Sequence, residues 1–143
     1  MDYIETPEGS KIYWPSNVMT KDIGKNCSFG KFSEVGPCVK INDNTRVGAS
    51  AFVPNGVTIG SNVFIGPHVV FCNDKYPPSK GAAWKETIVE DNVSIGANAT
   101  ILPGVTIGKC AKIGAGATVT KSVPPGEVWA SPAAKKLSNG GVV

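Results

Sequence analysis

Large aliphatic or aromatic residues recur at every sixth position of this chain: Ile23, Phe29, Val35, Ile41, Val47, Val53, Ile59, Ile65 and Phe71. The series resumes at Val89, Ile95, Ile101, Ile107, Ile113 and Val119. A period of six fits neither the helical repeat nor the alternation of a half-buried strand. Four residues after an anchor the side chain is usually small or β-branched, as at Cys27, Ser33, Thr45, Ala51, Val57, Val63, Ala99, Val105 and Ala117. Glycine often follows the anchor directly, as in Ile59-Gly60, Ile65-Gly66, Ile95-Gly96, Ile107-Gly108 and Ile113-Gly114. Such self-similarity describes a stacked array and excludes an ordinary layered domain.

Each hexad supplies one short strand and one corner, and three hexads close a triangular coil of about 18 residues. One coil cannot bury its apolar interior, whereas stacked coils enclose a continuous one. The expected fold is therefore all-β, a parallel β-helix of about five coils spanning residues 23–121. Ile23, Ile41 and Ile59 should stack on one edge, Phe29, Val47 and Ile65 on the second, and Val35, Val53 and Phe71 on the third. A narrow interior explains the small residues at the second inward position. Glycine after the anchor is read as serving a sharp turn or an unusual dihedral at the corner.

Between Phe71 and Val89 the period fails. Residues 72–88 number 17 where 5 would bridge two anchors, a surplus of 12. Twelve residues are two hexads, so a degenerate coil competes with an extruded loop. Tyr76, Pro77 and Pro78 at would-be strand positions favour the loop, because proline donates nothing to a ladder. A long loop in a compact array is usually functional. Residues 1–22, with Ile12, Trp14 and Val18 out of phase, are expected to cap the open N-terminal end. Residues 122–143, leaving the period at Val123-Pro124-Pro125-Gly126, are expected to form a C-terminal tail.

The 14 basic and 11 acidic residues give a net charge of +3 and form no stripe, so nucleic-acid binding is not implied. The opening Met1-Asp2-Tyr3-Ile4-Glu5 has no signal-peptide character and no apolar run is long enough to span a bilayer. A cytoplasmic protein without a membrane partner is the expectation. The four cysteines show no Cys-x-x-Cys spacing and read as filler. The single histidine, His68, puts a three-histidine zinc centre out of reach, and no metal is expected. In Ile65-Gly66-Pro67-His68-Val69 it falls three residues past an anchor and faces outward. It is either a surface imidazole or a polar wall of an acceptor site.

The loop opens with Phe71-Cys72-Asn73-Asp74-Lys75-Tyr76-Pro77-Pro78-Ser79. After it comes Thr87-Ile88-Val89-Glu90-Asp91-Asn92-Val93-Ser94-Ile95-Gly96-Ala97-Asn98-Ala99-Thr100-Ile101-Leu102-Pro103-Gly104-Val105. These stretches resemble the hexapeptide-repeat acyltransferases of the left-handed β-helix class. Within that class they are similar to the N-acetyltransferases that act on the 3-amino group of nucleotide-linked sugars. The resemblance implies a left-handed coil, acetyl-CoA as acyl donor, a small-molecule nucleotide-sugar substrate, and a homotrimer with clefts between neighbouring subunits. Apolar outward residues such as Phe52, Phe64 and Val70 suit a buried intersubunit surface.

The same resemblance places the sugar amine against Asn73. An amide is no base near neutral pH, but its carbonyl oxygen accepts an N–H and aims the amine lone pair. Asp74 is an alternative base, and Asn73-Asp74 together also read as a turn opener. Lys75 would meet a diphosphate as a point charge, while Tyr76 and Trp84 would stack on a nucleobase or pack the loop down. Backbone groups around Gly96, Ala97, Gly114 and Ala115 would bind pantetheine. Lys112, Lys121, Lys135 and Lys136 would face the adenine and 3′-phosphate or simply be solvated. Two other readings remain: an O-acetyltransferase of the same fold using His68 as base, and a non-catalytic β-helix scaffold.

Overall fold

The computed structural model describes residues 2–140, and among them the only regular elements are strands of two or three residues. In the strands of the coils the residue before the anchor faces out and the anchor faces in, as at Phe64 and Ile65. The chain then turns and the next strand begins on the adjoining face. Ladder bonds run between successive coils, so the strands of each face are parallel and sequence-remote.

The first face stacks Ile12, Phe29, Val47, Ile65, Ile95, Ile113 and Trp129 in register. The second stacks Val18 on Val35 and Val53, then Phe71, Ile101 and Val119, with Val70 opposite Phe52. The third stacks Ile23, Ile41, Ile59, Val89, Ile107 and Val123. The three expected columns of anchors are thus present, wound as a left-handed parallel β-helix.

The number of coils differs from expectation: the stack has about seven turns, not five. Ile12 and Val18 are rungs, although each precedes its partner (Phe29 and Val35) by 17 residues. At the other end Val123 and Trp129 follow Ile107 and Ile113 by 16. Corners one or two residues shorter hide these rungs from a strict six-residue count. Beyond the first rung, Tyr3–Glu5 pairs antiparallel with Lys11–Tyr13. Residues 130–140 carry no strand, and residues 141–143 of the expected tail, with Met1, lie outside the described residues.

Phe29, Val35, Val53, Ile59, Ile65, Phe71, Ile95, Ile101 and Ile107 are wholly buried. Removal of each such side chain from water contributes roughly 1.5–3 kcal/mol. At the second inward position Thr45 Oγ1 donates to the Gly60 carbonyl at 2.8 Å and accepts the Val63 N–H at 3.2 Å, whereas the buried Ser33 Oγ has no partner among the described residues. The glycines after the anchors have another cause than the one expected. A Cβ on Gly96 would lie 2.5 Å from the Ala115 nitrogen, so close approach of the next coil demands glycine. The unusual dihedral falls three residues past the anchor, at Asn44 (φ 56°), Asn62 (56°), Asn92 (60°) and His68 (58°). Asn and His are among the few side chains that tolerate it. Among the described residues no helix is long and apolar enough to cross a membrane.

Candidate functional site

Across the gap in the period, Ile59 pairs with Val89 and Ile65 with Ile95, each 30 residues apart instead of 18. The surplus of 12 is therefore extruded as an arm from the corner between the second and third faces, and the degenerate-coil alternative is excluded. The arm is slightly shorter than the expected 72–88, because Thr87 and Ile88 already belong to the strand Thr87–Val89. It is a small hairpin: Lys85 N–H donates to the Asn73 carbonyl at 2.9 Å, Lys75 N–H to the Ala83 carbonyl at 3.2 Å, and Asp74 bridges Trp84.

Asp74 organises the turn. Its Oδ2 accepts the Ser79 N–H at 2.7 Å and its Oδ1 the Tyr76 N–H at 3.1 Å. Desolvation pushes this carboxyl up, but the N–H and hydroxyl of Ser79 and the N–H of Tyr76 outweigh it and hold the pKa below the ordinary value. A carboxylate so occupied is a weak proton acceptor, and its geometry is that of a turn opener. Asn73, at the root of the arm, donates its side-chain N–H to the Asn55 carbonyl one coil below at 3.1 Å. Among the described residues its side-chain oxygen has no partner. That oxygen remains able to accept an N–H from a ligand.

A cavity of about 480 Å³ lies between the arm and the two coils that follow it. Cys72, Asp74, Lys75 and Pro77 line it from the arm, and residues 102–105 and 120–122 from the successive corners. The register explains the grouping. Phe71, Ile101 and Val119 are paired rungs, so Asn55, Asn73, Pro103 and Lys121 occupy the same corner position on four successive coils. Burial pushes the Cys72 thiol up, so it is mainly protonated near neutral pH.

The expected site residues divide between two corners. Asn73, Asp74, Lys75 and Lys121 are at the arm, with Tyr76 and Trp84 on it and exposed at 70% and 50%. Gly96, Ala97, Gly114 and Ala115 stack on one another at the corner between the first and second faces. His68 sits in that same corner column, exposed, its N–H donating to the Ala49 carbonyl at 3.0 Å. The strand Val70–Phe71 separates it from Asn73 within one protomer. Lys112 projects from the first face and Lys135 lies in the strandless C-terminal stretch. Lys121, expected with the cofactor lysines, lines the arm cavity.

Asn55, Leu102, Pro103, Thr120 and Ser122 were not singled out by sequence, yet they frame this corner. Their signal is the coil arithmetic itself: each stands one to three residues past an anchor of the second face.

Residues 38–67 match the family model described as the hexapeptide repeat of succinyl-transferase, and residues 86–121 that of the bacterial transferase hexapeptide (six repeats). The arm falls between the two. The bifunctional protein GlmU of Nitrosomonas eutropha is 28% identical over 140 residues, covering 87% of this chain but 30% of its own length. The chain therefore spans under a third of that curated relative. Among solved structures, the hexapeptide-repeat containing acetyltransferase VCA0836 from Vibrio cholerae is 29% identical with a TM-score of 0.64, covering 76% of this chain and 67% of that one. A mutant of AntD, an N-acyltransferase from Bacillus cereus in complex with dTDP-4-amino-4,6-dideoxyglucose and coenzyme A, gives a TM-score of 0.73 at 19% identity. That alignment covers 90% of this chain and 79% of the other, and the likeness is one of fold.

Proposed function

We propose that this hexapeptide-repeat acyltransferase moves an acetyl group from acetyl-CoA to the amine of a nucleotide-linked amino sugar. The observation that carries the reading is the cavity beside the arm, with the unpartnered oxygen of Asn73 at the root of that arm and Lys75 and Lys121 in the cavity wall. The amine, once neutral, attacks the thioester carbonyl carbon. The C–N bond forms, the C–S bond breaks, and CoA leaves as the thiolate. The extra proton on nitrogen passes to water or to the substrate's own phosphate. Asn73 accepts the second N–H and fixes the direction of the lone pair, and corner N–H groups face the oxyanion. No side-chain base is required, which suits an Asp74 occupied by its own turn.

The working assembly in this reading is a homotrimer. Phe52 and Val70 stand side by side on the second face, and Phe64 on the first, each between 37% and 41% exposed. This apolar band flanks the corner of His68, Gly96, Ala97, Gly114 and Ala115. Acetyl-CoA would lie along that corner in a cleft shared with the neighbouring subunit's arm, with Lys112 and Lys135 left to its adenosine end. Four free cysteines suit a reducing compartment, and the cytoplasm is the proposed location.

Thiol release from acetyl-CoA with a panel of UDP- and dTDP-linked amino sugars tests the reading. Failure of every sugar, together with no binding of acetyl-CoA, would leave only a scaffold. Replacing the single histidine separates amine from hydroxyl acceptors. His68→Ala should change kcat by less than about threefold here, whereas a base for a hydroxyl contributes roughly a hundredfold or more.

A further inference from the structure

We infer that Pro54 is a positioning residue: it denies Asn73 the cross-coil bond that every other Asp or Asn at the same corner position makes, and so keeps the Asn73 oxygen free for a substrate amine. Asp43, Asn55, Asn73 and Asp91 each stand two residues past an anchor. Three of them reach down to the coil below with an oxygen. Asp43 Oδ1 accepts the Lys25 N–H at 2.8 Å, and Asp91 Oδ1 accepts the Ser61 N–H at 2.7 Å. Asn55 Oδ1 accepts the Cys38 N–H at 2.9 Å, since Pro37 has no N–H to give. Asn73 does the reverse: it donates its side-chain N–H to the Asn55 carbonyl.

The residue beneath accounts for the difference. Gly24 underlies Asp43, Gly36 underlies Asn55 and Gly60 underlies Asp91, each one residue past the anchor of the lower coil. A Cβ on Gly36 would lie 2.5 Å from Asn55 Oδ1, and one on Gly24 or Gly60 would overlap the oxygen of Asp43 or Asp91. The clasp therefore closes only over glycine. Beneath Asn73 that place belongs to Pro54, which is buried. Its Cβ fills the space an oxygen would need, so Asn73 turns its amide over and takes the Asn55 carbonyl instead of the Asn55 N–H. Asn55 is itself clasped to Cys38, which holds that carbonyl from below. The consequence is chemical. An Asn73 whose oxygen was spent on the Asn55 N–H would offer an amine its own N–H, which engages the lone pair and withholds it from the thioester. Turned as it is, it offers an acceptor and leaves the lone pair free.

The inference rests on the proposed reaction for its effect on rate, but the orientation of the amide is read without catalysis. A crystal structure of Pro54→Gly should show the Asn73 oxygen on the Asn55 N–H. In urea titration Asn73→Asp should lower the midpoint of the wild-type background, where a carboxylate is set against the Asn55 carbonyl. In the Pro54→Gly background it should not, because there it completes the clasp made by Asp43. In the thiol-release assay Pro54→Gly should lower kcat/KM for the amino sugar about tenfold, with KM for acetyl-CoA unchanged. Pro54→Ala, the conservative variant that retains the Cβ, should stay within about twofold of the wild type. Equal losses in the glycine and alanine variants, or an Asn73 that keeps its bond to the Asn55 carbonyl in Pro54→Gly, overturn the inference. If the wild type acetylates no amino sugar the proposed reaction falls, and the crystal structure and the urea midpoints still decide whether Pro54 sets the amide.

Discussion

The side chain of Asn73 is anchored to the backbone of Asn55, one coil below, by a 3.1 Å hydrogen bond that uses its N–H and leaves its oxygen unpaired. The bond fixes which end of the amide is offered to a ligand. Asn73→Ala should lower kcat/KM by roughly ten- to a hundredfold in the thiol-release assay, with KM for acetyl-CoA little changed. Full activity in this variant would remove Asn73 from the site.

Asp74 should act through the shape of the arm. Asp74→Ala frees the Tyr76 and Ser79 N–H groups, and trypsin should cleave faster after Lys80 than in the wild type. The pH dependence follows from the direction of the shift. Its folded pKa is lowered, so its contribution is present above the ordinary carboxylate value of about 3.9 and fades as pH falls through the lowered value. Hydrogen exchange at the Ser79 amide, corrected for its intrinsic rate, should show protection from pH 7 down to about 4 and loss below that. Protection that already disappears near neutral pH would contradict this role.

Gly96 and Gly116 should respond differently to alanine. A Cβ at Gly96 would meet the Ala115 nitrogen at 2.5 Å, and the backbone of the next coil cannot yield without breaking its ladder. Gly96→Ala should cost roughly 3 kcal/mol or more. At Gly116 nothing lies within 4 Å, but φ is +70°, so Gly116→Ala should cost only about 1–2 kcal/mol. Denaturant titration of the two variants decides, and equal losses would sink the close-approach account.

The thiols should react in an order set by burial. Cys38 and Cys110 are exposed and should be alkylated first. Cys72 is half-buried with its pKa pushed up by desolvation, so it should lag at pH 7 and accelerate steeply as pH rises. Cys27 is buried, its pKa raised chiefly by desolvation, and should react only on unfolding. Peptide mapping after timed iodoacetamide treatment reads this order directly.

The repeat was legible in the sequence wherever its spacing is strict. Ile41, Ile59 and Ile65 announce their rungs because an inward side chain recurs at a fixed interval. Ile12 and Trp129 do not, because a rung is defined by its ladder bonds to Phe29 and Ile113, and those bonds tolerate a corner shortened by one or two residues. Glycine after the anchor was visible but not its cause. Whether a small residue answers a dihedral or a close approach depends on the distance to the next coil, which the chain's own order does not carry. At the candidate site, the place of Asn73 and Lys75 on the arm was readable from the break in the period. Their association with Lys121 was not, since it arises from two further turns of the coil that return the chain to the same corner.

The arm leaves the stack after Phe71 and rejoins it before Val89, and the rungs on either side keep the same partners they would have without it. The scaffold is therefore indifferent to what is spliced into that corner. The arm's chemistry and the integrity of the core reside in separable stretches of chain, so a cassette of different length or chemistry can be exchanged there while the barrel of rungs is inherited intact. Diversification at this point is decoupled from the mutational risk that a packed interior would impose.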